Sequence, residues 1–163
     1  MADEDDTENG GAGTEGVPTF SVLSQYVKDL SFENPNAPRS IGQALPGGGV
    51  QIEINVGGRP VSDSTYEVEL VIEARAGEGA TVVFNFELTY GGVFRVENIP
   101  QESVHPLVMI EGPRLLFPFA RQILADATRN GGFPPLLLDP IDFAALYRQR
   151  LGEGQGVQQA QNA

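Results

Sequence analysis

From residue 19 to about residue 100 the apolar side chains recur at every second position, and beyond about Val104 they recur at helical spacing. Val50-Gln-Ile52-Glu-Ile54-Asn-Val56 alternates without a fault, as does Tyr66-Glu-Val68-Glu-Leu70, continuing through Ile72 and Ala74. Val82, Phe84, Phe86, Leu88 and Tyr90 form a third row, before Gly91-Gly92 and Val93-Phe-Arg-Val96. Upstream, Phe20, Val22, Tyr26, Leu30 and Phe32 form a fourth, with Leu23 and Val27 making its other face partly apolar. A period of two places alternate side chains on opposite faces, the pattern of a half-buried strand. Four such strands with turn residues between them predict an antiparallel meander or Greek key. The link from Asn34 to Gly49 contains Pro35, Pro38, Pro46 and three successive glycines. It is too long for a hairpin and is expected to be a mobile crossing loop.

The helical part begins with Leu116, Phe119, Ala120, Ile123, Leu124 and Ala127, which share one face. Pro113 and Pro118 predict a break or kink near its start, and Asn130-Gly131-Gly132 supplies a left-handed stop. For a second helix, Asp139 is the expected N-cap, with Pro140 first inside and Asp142 in the first turn. Arg148 and Arg150 fall in its expected last turn and Gly152 ends it. Strands first and helices last predict an α+β domain, a four-stranded antiparallel sheet with two helices on one face. The apolar run Gly132-Phe-Pro-Pro-Leu-Leu-Leu138 either finishes that core or leaves a patch for association or binding.

Charge is uneven along the chain. The total is -12, but residues 1–16 carry six acids and no base, and residues 53–102 carry nine acids against three bases. The flanking stretches are balanced, so half of the excess lies in a Gly-rich N-terminal tail over 1–18, expected to be disordered. The other half lies in the central strands. Residues 152–163 read as a second, flexible tail. An acidic surface repels phosphates and argues against nucleic acid. No apolar run approaches the ~18–20 residues of a membrane span. Met1-Ala-Asp-Glu-Asp-Asp6 is acidic where an export signal would be basic and then apolar. A cytoplasmic location is expected, and the absence of cysteine fits a reducing compartment.

Catalytic candidates are few. With no Cys and one His, thiol nucleophiles and Cys-ligated zinc are excluded, and any triad would have to be built on His105. Gly11-Ala-Gly13-Thr-Glu-Gly16 has the letters of a dinucleotide fingerprint without the strand and helix that make one work. Glu67, Glu69 and Glu73 share a strand face at a spacing suited to acid–base work, although alternation alone puts acids on the outer face of such a strand. Asp3 to Asp6 lack the Gly-spaced loop of a calcium site. No metal or cofactor site is expected.

Four motifs then bring in a family. Tyr26-Val-Lys-Asp-Leu-Ser-Phe-Glu33 with Asn34-Pro-Asn-Ala-Pro38 resembles the N-terminal signature of SecB, the bacterial protein-export chaperones. Tyr90-Gly-Gly-Val-Phe94 resembles that family's fourth-strand motif, and Leu116-Phe-Pro-Phe-Ala-Arg121 its first-helix motif. Gly132-Phe-Pro134 with Leu136, Leu138, Pro140 and Phe143 is similar to the stretch leading into its last helix. The motifs fall in the family's order and delimit a chaperone domain over residues 19–151.

The resemblance implies a homotetramer, a dimer of dimers, that holds secretory precursors unfolded without ATP and delivers them to the ATPase SecA. It implies no catalysis and no cofactor. By resemblance Val50, Ile52, Ile54, Leu146, Tyr147 and Leu151 line a client groove bordered by the Asn34–Gly49 loop. Asp29, Glu33 and Glu87 match acidic positions offered to SecA, and Asp29 and Glu33, four apart on one strand, share a face. Asn85 stands where some relatives have an apolar contact residue, and the tail from Gly154 to Ala163 only loosely resembles the one that engages SecA elsewhere. The competing readings are a small-ligand or lipid carrier using the same groove and a hydrolase built on Glu67 and Glu69.

Overall fold

A computed structural model describes residues 16–45 and 49–161. The acidic stretch up to residue 15, the glycine fingerprint except Gly16, and part of the crossing loop lie outside the described residues. Four strands, β1 (Thr19–Glu33), β2 (Val50–Pro60), β3 (Thr65–Ala76) and β4 (Phe84–Glu97), precede two helices, α1 (Gln101–Asn130) and α2 (Phe143–Gln161). The sheet order is β1-β4-β3-β2, antiparallel throughout. Three consecutive strands form a meander and β1 returns beside β4, which is a Greek key. The loop after β1 therefore crosses to the opposite edge of the sheet, as its length required. Its first half is tied down: Asn34 Nδ2 donates to the Gly131 carbonyl at 2.9 Å, and Asn36 Nδ2 to the Val82 carbonyl at 2.7 Å.

One face of the sheet is the core. Val68, Leu70, Ile72 and Ala74 of β3 and Phe84, Phe86, Leu88 and Phe94 of β4 are buried against α1. β4 runs unbroken through Gly91 and Gly92, and both faces there are too crowded for a side chain. A Cβ on Gly91 would stand 2.5 Å from the Tyr26 ring, and one on Gly92 would stand 2.8 Å from Leu116. The Gly132–Leu138 run mostly finishes the core: Phe133 and Leu138 are buried while Leu137 is exposed. The buried Thr128 hydroxyl accepts from the Leu136 N–H at 2.9 Å and fixes that segment.

Several expectations are corrected. β1 does not alternate cleanly: register shifts leave Leu23 and Lys28 as bulge residues. Tyr26 therefore opposes Gly91 on the outer face, while Val27 opposes Tyr90 on the helix face. α1 is one helix of 30 residues with Pro106, Pro113 and Pro118 inside it, so no break occurs. Each internal proline costs about 3 kcal/mol. Burial of Val104, Val108, Leu116, Phe117 and Leu124 opposes this at about 1.5–3 kcal/mol per large side chain. Phe119 is 51% exposed and leaves the expected apolar face.

α2 starts three residues later than expected. Asp142, not Asp139, caps it, accepting from the Ala145 N–H at 3.0 Å. Gly152 does not end α2, which continues to Gln161, so Arg148 and Arg150 fall mid-helix. Of the two helices α1 lies on the sheet, and α2 packs chiefly on α1.

Candidate functional site

The register sorts the outer sheet face into two halves. In the first, Glu67, only 7% exposed, accepts from Arg59 Nε at 2.9 Å and Lys28 Nζ at 3.1 Å, and from the Tyr26 hydroxyl. Lys28 also pairs with Glu69. The bulge at Lys28 and the bare Gly91 make this possible, since together they turn Tyr26 and Lys28 toward β3. The Tyr26 hydrogen bond, helped by Lys28 and Arg59, holds the Glu67 carboxyl down at about 2, against partial desolvation. Partial burial and the same hydrogen bond push the Tyr26 phenol up to about 12. Lys28 is held above its ordinary range by its hydrogen bonds to Glu69 and Glu67. A carboxylate this firmly ionised is a poor general acid or base near neutrality, which removes the reason for reading Glu67 as catalytic.

The second half is dominated by acids. Glu53 opposes Glu73, and Glu73 opposes Glu87, so three carboxylates cross three strands in one row. Glu87 next opposes Ser31, which lies between Asp29 and Glu33. The expected trio Asp29, Glu33 and Glu87 is thus brought together on one face. Glu53 and Glu73 join it, and no sequence spacing could assign them there because strand register makes the row. The row borders an open concavity of about 610 Å³ that also includes Arg75 and Asn85. None of these five acids is in an ion pair among the described residues.

The six expected groove residues are only partly brought together. Leu146 and Tyr147 of α2 meet Val56, Met109, Phe143 and Arg150 around a cleft of about 20 Å³. Ile54 and Leu146 are packed against the core, Ile52 is 38% exposed, and Leu151 is 48% exposed. Val50 and Ile52 lie toward the other end of β2 and do not line that cleft. Val56 was visible as the end of an alternating row; Met109 and Arg150 carried no signal. Beyond Met109 a wider opening of about 450 Å³ is lined by residues including Tyr66, Val104, His105 and Val108. His105 Nδ1 and the Tyr147 hydroxyl, 2.8 Å apart, link α1 to α2.

Among the described residues no group of three or more His, Asp or Glu is placed to hold a metal ion, and no helix is long and apolar enough to cross a membrane. The sheet thus has one open face rich in acids, and the helix side leaves apolar side chains in solvent. The family model for preprotein translocase subunit SecB matches residues 13–154. The protein-export protein SecB of Rhodopseudomonas palustris (strain BisB5) is 57% identical over 147 residues, 89% of this chain and 93% of that one. Its counterpart in Azorhizobium caulinodans is 55% identical over 158 residues, 96% and 99% of the two chains. The chain belongs to the SecB family of protein-export chaperones, which are not enzymes. A solved structure of the Mycobacterium tuberculosis Rv1957 SecB-like chaperone, in complex with a ChAD peptide from the Rv1956 HigA1 antitoxin, shares the fold. It matches with a TM-score of 0.55 at 18% identity, over 75% of this chain and 90% of that one.

Proposed function

We propose that this chain is a cytoplasmic holdase that keeps secretory precursors unfolded without ATP and hands them to SecA. The observation that carries the reading is apolar surface left in solvent beside a core that is already closed: Ile52 on β2 and Leu151 on α2. In this reading Val50, Ile52, Ile54, Leu146, Tyr147 and Leu151 contact the client, and the Asn34–Gly49 loop borders it. Apolar burial at ~25 cal/mol per Å² adds useful affinity over a long unfolded chain and makes little demand on its sequence. When the client folds it withdraws those segments, so release follows without nucleotide. For a carrier of small apolar ligands, the α2–β2 cleft of about 20 Å³ is far below the ~300 Å³ of a ligand pocket, whereas the open concavity of about 450 Å³ beyond Met109 has the volume.

The acidic row supports the SecA half of the reading. Like charges directly opposite across strands cost about 0.2–1 kcal/mol per pair, and a basic partner surface would relieve that cost. Asp29, Glu33 and Glu87 are the docking residues, extended by Glu53 and Glu73. Assembly as a dimer of dimers is supported by β1. It is an edge strand carrying half-exposed Val22, Leu23, Val27 and Leu30, the kind of edge that pairs with another copy.

Ile52→Asp with Leu151→Asp should abolish the delay that the protein imposes on refolding of a precursor. Far-UV circular dichroism and a native mass near four chains should stay unchanged. The substitutions avoid Ile54 and Leu146, where a charge would strike the core. Full holdase activity in that variant would remove the groove assignment. Asp29→Lys with Glu87→Lys should weaken SecA binding and spare client binding, most clearly at low salt where exposed charges are least screened. Unchanged SecA affinity at low salt would sink the docking assignment.

A further inference from the structure

α2 carries a cation whose partners are mostly backbone. Arg150 donates from Nη1 to the Val56 carbonyl at 3.3 Å and from Nη2 to the Ile54 carbonyl at 3.2 Å. Nη2 also donates to Asn55 Oδ1 at 2.6 Å. β2 is the last strand of the sheet, so one of its edges has no strand beside it. Ile54 and Val56 are two apart and present their carbonyls to the same edge, and in antiparallel pairing each residue presents its N–H to that edge as well. Because Arg150 reaches both carbonyls from α2, this is the free edge.

A bare edge is a template for strand addition, and charged side chains are one way proteins blunt it. The forked guanidinium spans two successive outward carbonyls, as the backbone of a neighbouring strand would. It imitates only half of that strand. Arg donates and never accepts, so the outward N–H groups of Ile54 and Val56 gain nothing from it. The two carbonyl bonds are at the long end of the N–H···O range, and Arg150 is itself partly exposed. It can therefore return to water without stranding a buried charge.

We propose that Arg150 is a displaceable cap on the free edge of β2, giving way when an extended client segment adds to β2 at Ile54 and Val56. The inference rests on the client-holding reading above and names the contact that selects for unfolded chains. An extended segment supplies both donors and acceptors to this edge, so it makes bonds that the cap leaves unmade. These bonds are to backbone and indifferent to sequence. A chain whose backbone is already paired within its own fold has nothing to exchange for the cap and leaves it in place.

Arg150→Met keeps the apolar stem and removes every donor, while Arg150→Lys keeps the charge but loses the fork. The full-length variants are titrated with a fluorescent, unstructured apolar peptide, and amide exchange is followed at Ile54 and Val56. Affinity should rise about three- to tenfold in Arg150→Met, the range that one net hydrogen bond carries, with Arg150→Lys in between. The Ile54 and Val56 amides should exchange about tenfold more slowly when peptide is bound. A helix clasp with no capping role predicts the reverse order of affinities. Equal or weaker binding by Arg150→Met, or no protection at the two amides, overturns the cap. Ile52→Asp with Leu151→Asp serves as the reference: if it loses the peptide while Arg150→Met is unchanged, the cap alone falls. If both bind like the parent, the client-holding reading falls as well.

Discussion

Tyr26→Phe tests whether the Glu67 network stabilises the sheet. The change leaves the ring over Gly91 and deletes only the hydroxyl that donates to Glu67. Hydrogen bonds to charged groups are worth about 1.5–3 kcal/mol where water is excluded. Here the partners reach in from solvent, Lys28 being 42% and Arg59 64% exposed at the side chain. That screening brings the expected loss at pH 7 to about 1 kcal/mol. Linkage adds a signature in pH. The Glu67 carboxyl sits at about 2 in the folded protein against an ordinary 4.5. Its contribution is therefore complete above pH 4.5, and falls away as the pH drops through about 2. The phenol works in the opposite sense: raised from 10 to about 12, it contributes below pH 10 and loses that contribution as the pH climbs through about 12. Urea unfolding at fixed protein concentration should show the gap between parent and variant widest near neutrality. It should close toward pH 2, where Glu67 protonates. Equal midpoints at pH 7, or a gap that persists undiminished at that acid limit, would refute the reasoning.

Gly112→Val should destabilise by about 1–3 kcal/mol, because a Cβ there would stand 2.8 Å from Val68 where α1 meets β3; the urea midpoint reads it directly. Asp142→Ala removes the cap of α2 and should cost about 1 kcal/mol. The loss should show as faster amide exchange in the first turn of α2, with the sheet unaffected.

The parts of the fold legible in the sequence are those where one face is wholly buried. Val68, Leu70, Ile72 and Ala74 recur at every second position, with Glu69, Val71 and Glu73 between them, because that side of β3 is wholly buried. β1 is harder, since its helix face is half open: Val22, Leu23, Val27 and Leu30 are all exposed enough that either phase suits them. Its bulges shift the register, and the residue that Tyr26 faces, Gly91, is more than sixty residues away, so Tyr26 could not be assigned a face from its neighbours. Of the break or kink that Pro113 and Pro118 predict, the break does not occur, because burial of the α1 face overrides local propensity. The site divides in the same way. Asp29 and Glu33 share a strand and could be paired by counting, whereas Glu53, Glu73 and Glu87 meet only through register. Arg150 looked like an ordinary charge near a helix end, and only the position of β2 at the sheet edge gives it backbone to hold.

The Greek key also sets an order of events at synthesis. β2, β3 and β4 are neighbours in sequence and can pair as they emerge, but β1 pairs with β4 alone, from Thr19 opposite Glu97 to Glu33 opposite Asn85. At about 5–20 residues per second, β1 waits roughly 3–13 s after it is made before the end of β4 exists. Through that interval Phe20, Leu23, Val27, Leu30 and Phe32 form an unpaired apolar strand on a growing chain. A guardian of unfinished chains thus spends its own first seconds as one, with the first strand to be made the last to be paired.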